Sequence, residues 1–137
     1  MKKVLIATPL AVLALTGCPP TEPPGEGLSG TWTGDSIIDD VVKHSWIFTL
    51  TDEDGSVSGS YEATDLSGQR IRRDVSETTD GSGLDMEVEL LLEGDLLATC
   101  DLRLRREGTD RLEGPLTCSI GRHDAGAGVM TIERGMQ

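Results

Sequence analysis

The chain has 137 residues, with 24 Asp and Glu against 12 Lys and Arg, a formal net charge of −12. So acidic a surface repels phosphate backbones and anionic lipid, which excludes nucleic acid as a natural partner. Aromatic residues make up 3% of the chain, namely Trp32, Trp46, Phe48 and Tyr61, so any apolar site has few rings to draw on.

At the N-terminus, Lys2-Lys3 precede an apolar run from Val4 to Leu15, interrupted by Thr8 and Pro9. The run falls short of the about 20 apolar residues that a spanning helix needs, and its layout is that of an export signal. It ends on Leu15-Thr16-Gly17-Cys18, an aliphatic residue and two small ones before a cysteine. That tetrad resembles the lipobox of bacterial lipoproteins. The resemblance implies a signal peptide over residues 1–17, cleavage before Cys18, and lipidation of Cys18. An ordinary secretory signal cut elsewhere is the alternative. The lipoprotein family carries a diacylglyceryl group and usually an N-acyl chain, and two or more chains give lasting attachment where one is marginal. The membrane is thus a partner through the anchor, and the location is the bacterial cell envelope. In the enterobacterial sorting pattern, Asp after the cysteine retains the protein at the inner membrane; Pro19 here points to the outer membrane.

The remaining cysteines fit that setting. Cys18, Cys100 and Cys118 are an odd set. Lipidation of Cys18 leaves a pair, and in an oxidising compartment a Cys100–Cys118 disulfide is the default. No CxxC spacing suggests a metal or redox centre. With Lys2 and Lys3 removed, 10 basic and 24 acidic residues remain, a net −14, which suits a soluble domain in the periplasm or on the cell surface.

Residues 18–27 read as the lipidated cysteine and a stalk. Pro19-Pro20-Thr21-Glu22-Pro23-Pro24-Gly25-Glu26-Gly27 favours polyproline II at about 3.1 Å per residue, a reach of roughly 28 Å. Residues 28–137 form one domain. Short apolar alternations separated by Gly, Asp and Ser clusters predict an all-β fold. Strands are expected near Leu28–Ser36, Lys43–Thr51, Ser56–Ala63, Gln69–Ser76, Leu84–Leu92, Leu96–Arg106, Leu112–Ile120 and Gly128–Arg134. A helix competes at Leu84–Leu97, but Met86, Val88, Leu90 and Leu92 alternate with polar residues, which favours a strand.

A one-residue slip turns a strand inside out, so the registers can be checked against one another. Pairing Cys100 with Cys118 centres a turn on Thr109 and sets Leu102 beside Leu116. A turn through Glu93-Gly94-Asp95 then places Leu92 opposite Leu96, Leu90 opposite Ala98, Val88 opposite Cys100 and Met86 opposite Leu102. Inward faces agree across all three strands. Earlier, a turn through Asp52-Glu53-Asp54-Gly55 sets Leu50 against Val57, Phe48 against Gly59 and Trp46 against Tyr61. A loop over Arg122–Gly126 brings Met130 and Ile132 beneath Cys118 and Leu116.

A meander of about eight strands exposes two edges unless it closes, so a small antiparallel up-and-down β-barrel is the expected architecture. Gly30-Thr31-Trp32 on the first strand resembles the G-x-W motif of the lipocalin and avidin (calycin) superfamily. The stretch Ser29 to Gly34, followed by Gly59-Ser60-Tyr61, looks like the opening of avidin-type barrels. The resemblance implies that Trp32 plugs the closed end and packs against Arg134 of the last strand. Gly34 stands where avidins place a polar residue, and later Trp residues are missing, which puts biotin in doubt.

Little else suggests chemistry. Asp52 to Gly55 contains a D-x-D-G fragment but lacks the remaining calcium ligands, and Asp-Gly is ordinary turn sequence. His44 and His123 have no partner suggested by spacing and read as exposed residues. Arg70, Arg72 and Arg73 form a basic cluster expected to pair with carboxylates such as Asp74 and Glu77, with an anionic ligand as the alternative. No nucleophile elbow, phosphate loop or zinc motif is present, so no enzyme activity, catalytic residue, metal or cofactor is expected. An eight-stranded barrel holds one small ligand or is filled by side chains. The first reading is therefore a module binding a small apolar ligand lined by Trp46, Phe48 and Tyr61. The alternative is a structural or interaction lipoprotein with a filled barrel, whose partner is another envelope protein.

Overall fold

The computed structural model describes residues 27–92 and 96–135. The expected signal peptide, Cys18, most of the expected stalk and the expected turn through Glu93-Gly94-Asp95 lie outside the described residues. Eight strands follow one another: β1 (Gly30–Ile38), β2 (Val42–Glu53), β3 (Ser56–Asp65), β4 (Arg70–Thr78), β5 (Gly83–Leu92), β6 (Leu96–Arg106), β7 (Arg111–Ile120) and β8 (His123–Arg134). They form one antiparallel sheet in the order β4-β3-β2-β1-β8-β7-β6-β5. The first and last strands pair, from Trp32–Arg134 to Ile38–Gly128. The sheet therefore curls into a nearly closed barrel, as expected, and its one seam lies between β4 and β5.

Period-two alternation sends one set of side chains inward. Trp46, Phe48 and Leu50 of β2, Val88 and Leu90 of β5, Cys100, Leu102 and Leu104 of β6, and Met130 and Ile132 of β8 are all buried. The expected three-strand agreement holds: Val88 pairs with Cys100, Cys100 with Cys118, and Leu102 with Leu116. The disulfide joins Cys100 and Cys118 with Cα atoms 3.9 Å apart, inside the core.

Two registers differ from expectation. On β2–β3, Leu50 meets Gly59, Phe48 meets Tyr61 and Trp46 meets Ala63. The cause is the turn. Asp54 (φ 56) and Gly55 (φ 92) form a two-residue connection with both φ positive, the hairpin type whose twist matches the strands. Glu53 therefore still pairs with Ser56. The shift is two residues, so the inward face is preserved. On β7–β8, strand β8 begins at His123, and Met130 meets Gly114 while Ile132 meets Leu112. Gly121 (φ 64) tightens that turn, and Gly126 and Gly128 stand opposite Cys118 and Leu116, where the bulky inward residues need room.

Curvature requires glycine at several places, Gly34 and Gly59 among them. A Cβ on Gly34 would overlap the Thr131 carbonyl oxygen of β8, and one on Gly59, whose φ is 138°, would overlap that of Thr49 on β2. Such close backbone approach is how a sheet bends hard enough to close.

Candidate functional site

The barrel has two unlike ends. The β2–β3, β4–β5 and β6–β7 turns share one end with the start of β1 and the finish of β8. This end is plugged. Leu28 is fully buried there, and its carbonyl accepts the Trp32 indole N–H at 2.8 Å. The Arg134 guanidinium lies 4.6 Å from the Trp32 ring centroid. It donates to the Ser29 and Gly27 carbonyls at 2.7 and 3.2 Å and to Asp110 at 2.8 Å. Arg106 adds a 2.6 Å bond to the Gly27 carbonyl. Asp52 accepts the Leu28 and Gly55 amides at 2.8 Å each. The residue read from the D-x-D-G fragment thus fastens the incoming chain and its own turn. Among the described residues no cluster of His, Cys, Asp or Glu is arranged to hold a metal ion.

The β1–β2, β3–β4 and β7–β8 turns lie at the opposite end. A cleft of about 270 Å³ opens there, lined by Val41, Val42, Lys43, Asp65, Leu66, Ser67 and Leu91. Val41 and Leu66 are 71% and 80% exposed, so two apolar side chains stand open on a rim shared with Lys43, Asp65 and Ser67. Asp65 organises the rim. Its carboxylate accepts the Ser67 hydroxyl at 2.7 Å and the Ser67 and Gln69 amides at 2.9 Å. The Ser67 hydroxyl, followed by those amides, holds the carboxyl below the usual carboxylate range.

Inside the barrel the structure brings Trp46, Phe48 and Tyr61 together, with ring centroids 5.6–5.7 Å apart, and none of the three lines the cleft. The rings pack on one another, and all three are buried. Their polar tips are engaged. The Trp46 N–H donates to the Ser36 hydroxyl at 2.8 Å, and the Tyr61 hydroxyl accepts the Glu89 amide at 2.7 Å. Burial is the main cause pushing the Tyr61 phenol up.

The Tyr61 contact belongs to a set that covers the seam. Side chains from three strands reach the unladdered edge of β5. Tyr61 of β3 takes the Glu89 N–H, His44 of β2 bonds the Leu91 carbonyl through Nε2 at 2.7 Å, and Arg73 of β4 meets the Glu89 carboxylate at 2.7 Å. A sheet edge left bare invites pairing with other chains, and charged or covering side chains block it. Arg73 and Arg70 thus pair across strands, with Glu89 and Glu62, and Arg72 reaches the Ser60 hydroxyl. The pairs thus reach carboxylates on neighbouring strands, Glu62 and Glu89, rather than the expected Asp74 and Glu77 of β4 itself.

His44 also corrects its expectation: it is 2% exposed. It shares the inward parity of Trp46, Phe48 and Leu50, and extending that alternation one step toward the turn would have found it. Its Nδ1 is buried and has no hydrogen-bond partner; an unmet buried polar atom costs about 1–3 kcal/mol. His123 is exposed at the start of β8.

No protein-family model matches this chain, and no curated protein matches it in sequence. Among solved structures it is similar to EF1p2_mFAP2b bound to DFHBI, with a TM-score of 0.60 at 13% identity over 79% of this chain and 94% of that one. It is also similar to mFAP1, a redesigned β-barrel bound to DFHBI, with a TM-score of 0.54 at 12% identity over 81% of this chain and 97% of that one. At such identities the likeness is one of fold: a small eight-stranded antiparallel β-barrel.

Proposed function

We propose that this chain is a lipid-anchored lipoprotein of the bacterial cell envelope whose barrel binds a small apolar ligand at the end away from its anchor. The observation that carries the ligand reading is the inequality of the two ends. One is shut by Leu28, Trp32 and Arg134. The other holds an open cleft with Val41, Val42, Leu66 and Leu91 in its lining, at the end of a barrel whose interior packs Trp46, Phe48 and Tyr61. Small-molecule binding by both fold neighbours supports the same reading. The reading assigns the barrel no catalytic role and no cofactor.

The anchor rests on the lipobox-like tetrad at Cys18 and on Pro19, which favours the outer membrane. The stalk joins the domain at Gly27, whose carbonyl is held at the plugged end. A lipid at Cys18 therefore leaves the cleft facing away from the membrane. Metabolic labelling with an alkynyl fatty acid tests this: wild type takes the label and fractionates with outer membrane, and C18S does neither. Label on C18S would refute the anchor.

A second reading has its own support. The aromatic rings spend their faces on each other, and Val41 and Leu66 protrude, as in a filled barrel that contacts another envelope protein. Native mass spectrometry on protein extracted from membranes separates the two: a co-purifying small molecule favours the first, and an empty barrel with a reproducible crosslinked protein favours the second.

A further inference from the structure

We propose that the ligand of this cleft is a small apolar molecule with an anionic head, and that Lys43 receives the head. The inference rests on the ligand reading above and gives it a chemical class. Three polar side chains stand among the apolar ones in the lining: Lys43, Asp65 and Ser67. The fold accounts for two of them. Asp65 accepts the Ser67 hydroxyl and the Ser67 and Gln69 amides, which ties down the β3–β4 turn. Lys43 has no such task. It makes no hydrogen bond or ion pair among the described residues, although Asp65 shares this cleft and Asp35 and Glu133 share a second groove with it. The arginines of β4 are spent on the protein itself, Arg70 on Glu62, Arg73 on Glu89 and Arg72 on Ser60. Lys43 is also the only lysine after Lys3, in a chain with 24 acidic residues.

A lysine head carries three N–H donors and no acceptor. Carboxylate, sulfonate or phosphate oxygens match it, and an ammonium does not. Beside it Val41, Val42, Leu66 and Leu91 offer apolar surface. A lysine stem covers such surface while its head stays in water, so one side chain serves both halves of an amphiphile. A cleft of about 270 Å³ holds roughly nine groups of the about 30 Å³ that a water occupies, which matches a chain of about eight carbons. The acidic surface repels anions at long range, so an anion without an apolar body gains little here. A neutral chain of equal length gains the apolar contact alone.

Octanoate, 1-octanol and octylammonium share one chain and differ in the head. Binding to the full chain in detergent is followed by the methyl NMR shifts of Leu66 and Leu91 in wild type, K43M and K43R. Each probe is compared with itself across the three proteins, so partition into detergent cancels. Octanoate is expected to bind K43M about fivefold more weakly than wild type, the scale of an exposed ion pair, and K43R to restore it. The affinity for 1-octanol should stay level, and that for octylammonium should rise in K43M. An octanoate affinity unchanged in K43M, a loss shared equally by 1-octanol, or a loss that K43R does not restore would overturn the inference, while binding of 1-octanol would leave the ligand reading intact. If none of the three probes moves these methyl signals, both fall.

Discussion

Removing the Cys100–Cys118 crosslink tests whether the core is held as described. The bridge closes a segment of 18 residues, and in the chain-entropy account such a loop contributes about 3 kcal/mol by restricting the unfolded chain. Both cysteines are buried at the meeting of β5, β6 and β7. C100A/C118A adds the loss of two sulfurs from a packed interior, about 1 kcal/mol each by analogy with a buried methylene. The expected total is about 5 kcal/mol. In a urea titration read by tryptophan fluorescence, with a slope of about 1–3 kcal/mol per molar, the midpoint falls by roughly 2–5 M, enough to unfold a marginal domain without denaturant. The unreduced exported protein should also resist thiol labelling at both positions. Equal midpoints for wild type and C100A/C118A, or free-thiol labelling of the exported protein, would refute the reasoning.

Three further outcomes are expected. R134M keeps the aliphatic stem but removes the ring contact and the bonds to Ser29, Gly27 and Asp110. It should cost about 2–4 kcal/mol and speed amide exchange at Leu28; unchanged exchange there would show that Arg134 does not hold the plug. Y61F deprives the Glu89 amide of its acceptor, so exchange at Glu89 should rise about tenfold. Because burial raises the Tyr61 phenol pKa, the folded protein keeps that proton above about pH 10 while the unfolded chain loses it. This part of the stability is flat below pH 10 and falls above it, and a Y61F variant with the same alkaline fall as wild type would contradict the assignment. Asp65 and Asp80 are held low chiefly by the Ser67 and Ser82 side chains. Their contribution is present above about pH 4 and lost as pH falls through their lower folded values. Amide exchange at Ser67 and Ser82 should therefore rise, beyond its intrinsic pH dependence, only in strong acid; a rise already complete at pH 5 argues against these turns.

Facing was the most legible property in the sequence. Parity placed Trp46, Phe48, Leu50, Val88, Leu90, Cys100 and Leu102 inward, because a strand half-buried in one core repeats every two residues. Turn length was less legible. Asp52 to Gly55 offers several turns, and only the backbone reveals that Asp54 and Gly55 alone make it. The β7–β8 pairing was missed for the same reason, since Gly121 closes the chain sooner than the composition of Arg122–Gly126 suggests. The seam could not be read at all. Closure implied that β1 meets β8, in line with the expected Trp32–Arg134 contact, but no local pattern points to the break in the ladder between β4 and β5. His44 was legible in principle, and its polar character masked its inward parity. Its bond to Leu91, 47 residues away, had no local signal.

The measurement closest to the central claim is native mass spectrometry of the full-length protein released from its own membranes in mild detergent. The account predicts lipid mass on Cys18 and, on a fraction of molecules, an additional bound small molecule that dissociates on collisional activation. Lipidated protein that carries no such mass, and still carries none after incubation with a membrane lipid extract, would contradict it.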